Sequence, residues 1–299
     1  MRRFGFQFTP AHHWRAFLLA GLGLIAGATA LAAPASKATR VPSEFVQLGK
    51  PDQAKGAEIL AEFRNLGIAG DYYLQFEMRV MPRRGAETVY AGRLWGSRNE
   101  LGPMSRVVLE DGQGGVHRLL IQSGPSPRIW NWLPGQTAPQ LMPDAGIYRP
   151  LLEDAELTAF DLLMPYLYWE DFEFEGVSKV LGRAAHTFLL TPPAGDSADE
   201  GRLAAVRVQL DTQFRAMVQS ELIDANGEAY KSLTLRDLKK VSDQWMIKAI
   251  DLRNEQTRNK TRFQVVRAAV GLDLSPNVFE AASLAEEIVP PENTEFLGR

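Results

Sequence analysis

The chain has 299 residues, of which 45% are hydrophobic and 23% charged, with a formal net charge of −3. This is an ordinary globular mix, long enough for one large domain or two small ones to bury a core without staples. The lack of any cysteine excludes disulfides, thiolate chemistry and a cysteine-borne lipid anchor, and the mild acidity argues against a nucleic-acid partner.

In chain order, Arg2, Arg3 and Arg15 precede an apolar run over residues 17–31, and Ala30 and Ala32 supply small residues at the positions a signal peptidase reads. Residues 1–32 are therefore expected to be a secretory signal peptide, cleaved near Ala32. The run is short for a membrane span, and no basic stop-transfer cluster closes it. The expected mature protein is exported, soluble and periplasmic. Loss of three arginines and no acids takes its net charge from −3 to −6. Residues 33–50 are small, polar and Pro-containing and read as a flexible linker. One domain is expected over 51–285, followed by a C-terminal tail, 286–299.

The spacing predicts a helix over 52–65, with Ile59, Leu60, Phe63 and Leu66 on one face and Gly67 at its end. The period then changes to two. Over 71–81, Tyr72, Leu74, Phe76, Met78 and Val80 share one strand face, while Tyr73, Gln75, Glu77 and Arg79 take the other. Strands are predicted over 88–95, 104–109, 116–122 and 128–133. The pattern breaks over 143–171, which holds a short helix within 154–163 ahead of Pro165. Strands resume over 172–180, 186–191, 204–211, 214–223, 230–239, 245–253 and 260–270, with a hairpin turn at 224–227. Short sequential connections make neighbouring strands antiparallel, and no helices alternate with them, which excludes a doubly wound sheet. A sheet this large twists and curls, so either two sheets pack together or a cavity remains.

Motifs for catalysis are missing. His117 and His186 lie in separate strand segments with no ligand spacing around them, and neither a nucleophile elbow nor a phosphate loop occurs. Glu170, Asp171, Glu173 and Glu175 form an acidic run, in which Glu173 and Glu175 alternate with Phe172 and Phe174 as a solvated strand face does. No catalytic residue, metal or cofactor is expected. The aromatics are more informative. Trp130 and Trp132 share one strand face, with Ile129 and Leu133 on the other, and Trp95, Trp169 and Trp245 also lie in or near strands. Such residues either fill a core or line an apolar ligand cavity.

An ordered series of segments carries a family resemblance. Gly92-Arg93-Leu94-Trp95-Gly96-Ser97-Arg98 is similar to a carrier strand of Leu-Trp followed by a loop arginine. Ile129-Trp130-Asn131-Trp132-Leu133-Pro134 resembles a W-x-Y-x-P strand, with Ser123-Gly124-Pro125 standing where a turn is usual. Leu157 to Leu162 resembles a short Leu-Thr-x-x-Asp-Leu helix, and the strand end at 188–193, the turn at 224–228 and the start of the last long strand at 260–263 follow in order. Over roughly 52–279 the chain thus resembles the LolA/LolB-like periplasmic lipoprotein-carrier superfamily, in its outer-membrane lipoprotein-sorting branch. The resemblance implies a mainly β (α+β) fold: a single large curved antiparallel sheet, a half-barrel of 10–12 strands, with a few helices covering its concave face. It implies a non-enzymatic carrier that holds lipoprotein acyl chains or other lipid cargo in an apolar cavity. The cavity lining expected here is Tyr72, Leu74, Phe76, Met78, Trp95, Trp130 and Trp132, with Arg98 as lid or gate. The implied partners are lipid or lipoprotein cargo and an inner-membrane transporter, with the protein a monomer. Two alternatives stay open: an envelope sensor or assembly partner that binds a peptide or protein with the same fold, and, more remotely, a hydrolase.

Overall fold

The structure, a computed structural model, describes residues 50–110, 112–194 and 198–298. The expected signal peptide, and all of the linker but Lys50, lie outside the described residues. One helix opens the domain: α1 (Gln53–Arg64), whose N-cap Asp52 side chain accepts the Lys55 N–H. A first meander follows, made of β1 (Asp71–Met81), β2 (Thr88–Asn99), β3 (Gly102–Glu110), β4 (Val116–Gln122), β5 (Arg128–Trp132) and β6 (Gln140–Leu141). After the helix α2 (Ala159–Leu163) comes a second meander: β7 (Phe172–Val180), β8 (Arg183–Leu190), β9 (Ala205–Asp211), β10 (Met217–Ile223), β11 (Ala229–Val241), β12 (Gln244–Asn254) and β13 (Lys260–Leu272). A last short strand, β14 (Glu295–Phe296), pairs with β13.

The two meanders join where β1 pairs with β13, giving one open antiparallel sheet with β6 at one edge and β7 at the other. It is the expected half-barrel, with fourteen strands rather than 10–12. The two strands that periodicity misses, β6 and β14, are two residues long with exposed side chains, so they carry no alternation to detect.

One face of the sheet, here the inner face, carries the main core. On β1 it takes Tyr72, Leu74, Phe76, Met78 and Val80, each at most 2% exposed. Cross-strand from Tyr72 and Phe76 lie Gly96 and Gly92, and a Cβ at either glycine would overlap the facing ring. These glycines let two aromatic side chains lie flat across β2. A bulge in β13 beside Gln75 and Phe76 ends its regular pairing with β12, which runs from Lys260 to Gln264. Beyond it β14 takes the vacated place beside Arg267 and Ala268, and the Leu297 N–H donates to the Val266 carbonyl at 2.9 Å. The segment set apart as a tail is thus stitched into the sheet through residue 297. No helix among the described residues is long and apolar enough to cross a membrane.

Candidate functional site

Topology forces a lid. The chain leaves β6 at one edge of the half-barrel and must reach β7 at the other, so residues 142–171 cross the inner face. This cap contains α2 and two single-turn helical segments, Asp144–Gly146 and Pro165–Tyr168. Its apolar side chains, Phe160, Leu162, Leu163, Met164, Tyr166 and Leu167 among them, join Leu74, Phe76 and Met78 in one buried cluster. Phe160 stacks on Tyr148 at 4.8 Å and lies 5.6 Å from the Tyr166 ring. The lining expected from β1 therefore faces inward and is sealed by the chain's own cap.

Polar contacts pin the cap at several points, Tyr166 with Ser220 on β10 among them. Thr158 and Asp161 form a capping box at the start of α2. The buried Asp161 carboxylate also accepts from the Lys231 ammonium on β11 at 2.5 Å. The Glu156 N–H donates to Thr261 Oγ1 at 2.8 Å, and the Arg64 side chain at the end of α1 donates to the Leu167 and Trp169 carbonyls. Burial pushes the Glu156 carboxyl above its ordinary value. Arg98, the expected gate, stands on the inner side of β2 with an Nη1 that is buried and unpartnered. Burial lowers its affinity for a proton, and the Tyr168 side chain in the cap is its electrostatic neighbour.

Between α1 and the second meander the inner face stays open. A cleft of about 400 Å³ has as its floor a cross-strand row, Val177 on β7, His186 on β8 and Leu210 on β9. Its roof is one face of α1, Lys55, Ile59, Glu62 and Phe63, and Phe174 closes one end. Both ends of α1 are fixed. Gln53 binds the Phe174 backbone through both side-chain amide atoms, at 2.8 and 2.9 Å, and Gly56 sits so close on the Phe174 ring that a Cβ there would collide with it. His186 Nδ1 is buried in this cleft without a hydrogen-bond partner, and burial holds the imidazole below the ordinary histidine range. His117 lies on β4, in the other half of the sheet, so the two histidines do not form one site. Sequence reasoning missed this cleft, because its walls come from four separate elements and no local motif links them.

Three expected lining residues belong elsewhere. Trp95, Trp130 and Trp132 stand on the outer face, not with Phe76. Ala269, Tyr73, Trp95, Arg106, Leu120 and Trp130 make one cross-strand row there. The outer face is itself apolar because the chain end covers it: Tyr73, Trp95 and Val108 pack with Val278 into a second small core. Arg106 beneath is fully buried and donates to the Val278, Ser283, Leu284 and Glu286 carbonyls. Burial, reinforced by Arg118, pushes its guanidinium down to about 10. Arg118 in turn stacks 4.8 Å from the Trp132 ring and donates to the Ala285 carbonyl.

Residues 154–286 match a family described as an uncharacterized protein, and no curated protein matches the chain. Solved structures are more telling. An outer membrane lipoprotein-sorting protein domain from Vibrio parahaemolyticus superposes with a TM-score of 0.67 at 21% identity, covering 78% of this chain and 99% of that one. A DUF1329 family protein from Desulfovibrio piger gives 0.66 at 14% identity, covering 77% and 98%. A LolA superfamily protein from Nitrosomonas europaea gives 0.58 at 13% identity, covering 75% and 96%. The likeness, over nearly the whole of these three chains, is one of fold, and this chain shares the fold of a LolA superfamily protein.

Proposed function

We propose that this protein is a periplasmic binding and carrier protein for lipid-bearing cargo, lipoprotein acyl chains among them, acting in outer-membrane lipoprotein sorting without a covalent step. The observation that carries the reading is an apolar inner face, partly open beneath α1 and partly sealed by a cap of the chain's own apolar side chains. A chain of about fifteen carbons gains up to ~12 kcal/mol by leaving water at about 0.8 kcal/mol per CH₂, so it does not cross an aqueous compartment unaided. In this reading the signal peptide is removed near Ala32 and domain 51–285 works as a monomer. An inner-membrane transporter hands cargo over. A short chain enters at the α1 cleft, and larger cargo lifts the cap and reaches Tyr72, Leu74, Phe76 and Met78.

Arg98 is the gate in this scheme. Arg98→Leu should change the rate of cargo release and leave the melting temperature nearly unchanged; a large drop in melting temperature would make Arg98 structural instead. The direct test is a native mass spectrum of protein recovered from the periplasm, together with displacement of a bound fluorescent acyl probe. Co-purifying lipid and saturable displacement are expected. An empty protein that takes up no acyl probe sinks the carrier reading.

A further inference from the structure

Charge is spread unevenly over this molecule. The chain as a whole is acidic, with a formal charge of −3, but the outer face at one end of the sheet is basic. The turn that joins β1 to β2 carries Arg83 and Arg84, both exposed. The Arg83 N–H donates to Asn259 Oδ1 at 3.1 Å, which holds this turn beside the one between β12 and β13. On the strands that run into these turns, cation stands beside cation: Arg79 is the cross-strand neighbour of Arg262, and Lys260 that of Arg253. The acids lie deeper. The Asp251 side chain, 12% exposed, is shared by Arg236, Lys260 and Arg262 at 3.5, 3.7 and 2.6 Å. The Glu255 side chain, 25% exposed, is shared by Arg253 and Arg258, themselves 45% and 52% exposed. Arg79 alone in this group has two acids, Glu77 and Glu87. Eight cations against four acids leave this face with a surplus of four positive charges. Asp224 and Glu228, in the turn between β10 and β11, mark its limit.

We infer that this basic face docks the protein on an anionic lipid surface, its guanidinium groups meeting headgroup phosphates. The inference goes beyond cargo binding and does not depend on what fills the inner face. Exposed arginines suit phosphate, because the guanidinium presents a fork of N–H donors to two oxygens at once. Each cation adds attraction only within about 8 Å of the lipid surface, the screening length at physiological salt. The acids cancel little of it, since they sit beneath the cations and a flat surface meets the positive groups first. The partner is a surface and not a folded protein because the patch has no anchor. Of the exposed large hydrophobic side chains among the described residues, Val89 alone borders it, opposite Arg79 in the pairing of β1 with β2, whereas a protein interface centres on aromatic residues in pockets. The acidic remainder of the chain is repelled by the same surface, so docking has one orientation. It brings the lipid to the end of β13 where the cap's Glu156 N–H bonds Thr261.

The test is cosedimentation of protein recovered from the periplasm with vesicles of phosphatidylglycerol and phosphatidylcholine, mixed one to two, and with vesicles of phosphatidylcholine alone. Binding to the mixed vesicles alone is expected at low salt, and its loss as salt rises and the screening length shrinks. Arg83→Glu combined with Arg84→Glu lies in an exposed turn and leaves the sheet intact. It should weaken the partition about twentyfold or more, at about fivefold for each cation taken from the surface. Lys239→Glu combined with Lys240→Glu makes the same change of net charge on exposed residues at the far end of β11, and should leave binding nearly as it was. Equal binding to the two kinds of vesicle overturns the inference, because an apolar segment is then responsible. A loss in the Lys239 and Lys240 variant as large as in the Arg83 and Arg84 variant also overturns it, because net charge and not this face is then responsible. Binding to neither vesicle overturns it as well and leaves an acidic protein as the partner to seek. None of these outcomes bears on the carrier reading, which the acyl probe tests separately.

Discussion

The two Nη groups of Arg106 donate to the Ser283 hydroxyl and to backbone carbonyls of the segment that covers the outer face. Arg106→Leu conserves most of the bulk but takes the side-chain donor from the Val278 and Glu286 carbonyls, while the Ser283 carbonyl keeps the Glu286 N–H and the Leu284 carbonyl keeps Arg118. At about 1–3 kcal/mol for each orphaned group, and with some relaxation, a loss of roughly 3 kcal/mol is expected. Urea unfolding measures that loss, and amide exchange should rise within 278–288; unchanged protection there would show that the cover is held by its apolar side chains alone. His186 gives a pH prediction. Its folded-state affinity for a proton is depressed by burial, so at mildly acidic pH the unfolded chain binds the proton more readily than the folded one. The resulting stability is present above the ordinary histidine pKa and is lost as pH falls below it. The melting temperature of the wild type should therefore fall more between pH 7.5 and 5.5 than that of His186→Phe; parallel curves would mean the imidazole is not desolvated in solution.

At the scale of the element, α2 is five residues long and every one of them is buried, so its position depends on how it is pinned. Asp161 serves it twice, closing the capping box and receiving Lys231. Lys231→Met removes the cation from a buried carboxylate and should destabilise by about 3 kcal/mol, whereas Asp161→Asn combined with Lys231→Met should be milder than those two single changes added together. Thermal melts of the four proteins check this, and strict additivity would mean the pair is not coupled. The sequence made some elements plain and hid others. The bounds of β1 could be read residue by residue, because one face is deeply buried and the other carries Gln75, Glu77 and Arg79. The α1 helix, the break over the cap and the short α2 were visible for similar reasons of period and capping. The face of the tryptophans was half visible. Trp130 alternates with Ile129, but alternation alone does not say which face is inner when both are covered. The outer cover, residues 276–288, has no strand or long helix to announce it, so Trp95 read as cavity lining when it belongs with Tyr73 at 5.2 Å. The α1 cleft was invisible because Val177, His186 and Leu210 become neighbours only through strand register.

For the molecule as a whole, the question is whether the cap moves. Its core contacts are extensive, and each fully buried Leu or Phe contributes about 1.5–3 kcal/mol, so spontaneous opening is rare unless the incoming ligand replaces what is exposed. A single-chain ligand that fits the α1 cleft has no need to open it, whereas a two-chain lipid exceeds 400 Å³ and does. A covalent lock separates these cases. The Glu156 N–H already bonds the Thr261 side chain at 2.8 Å, which brings the two Cα atoms within reach of a disulfide. The chain has no cysteine of its own to mispair, so the Glu156→Cys, Thr261→Cys variant offers one pairing only. Oxidised, it should still exchange monolaurin for Nile red but refuse dioleoyl phosphatidylglycerol; reduction with dithiothreitol should restore the two-chain ligand. If the oxidised protein takes both ligands equally, the interior beneath the cap is permanent core, and binding is confined to the space under α1.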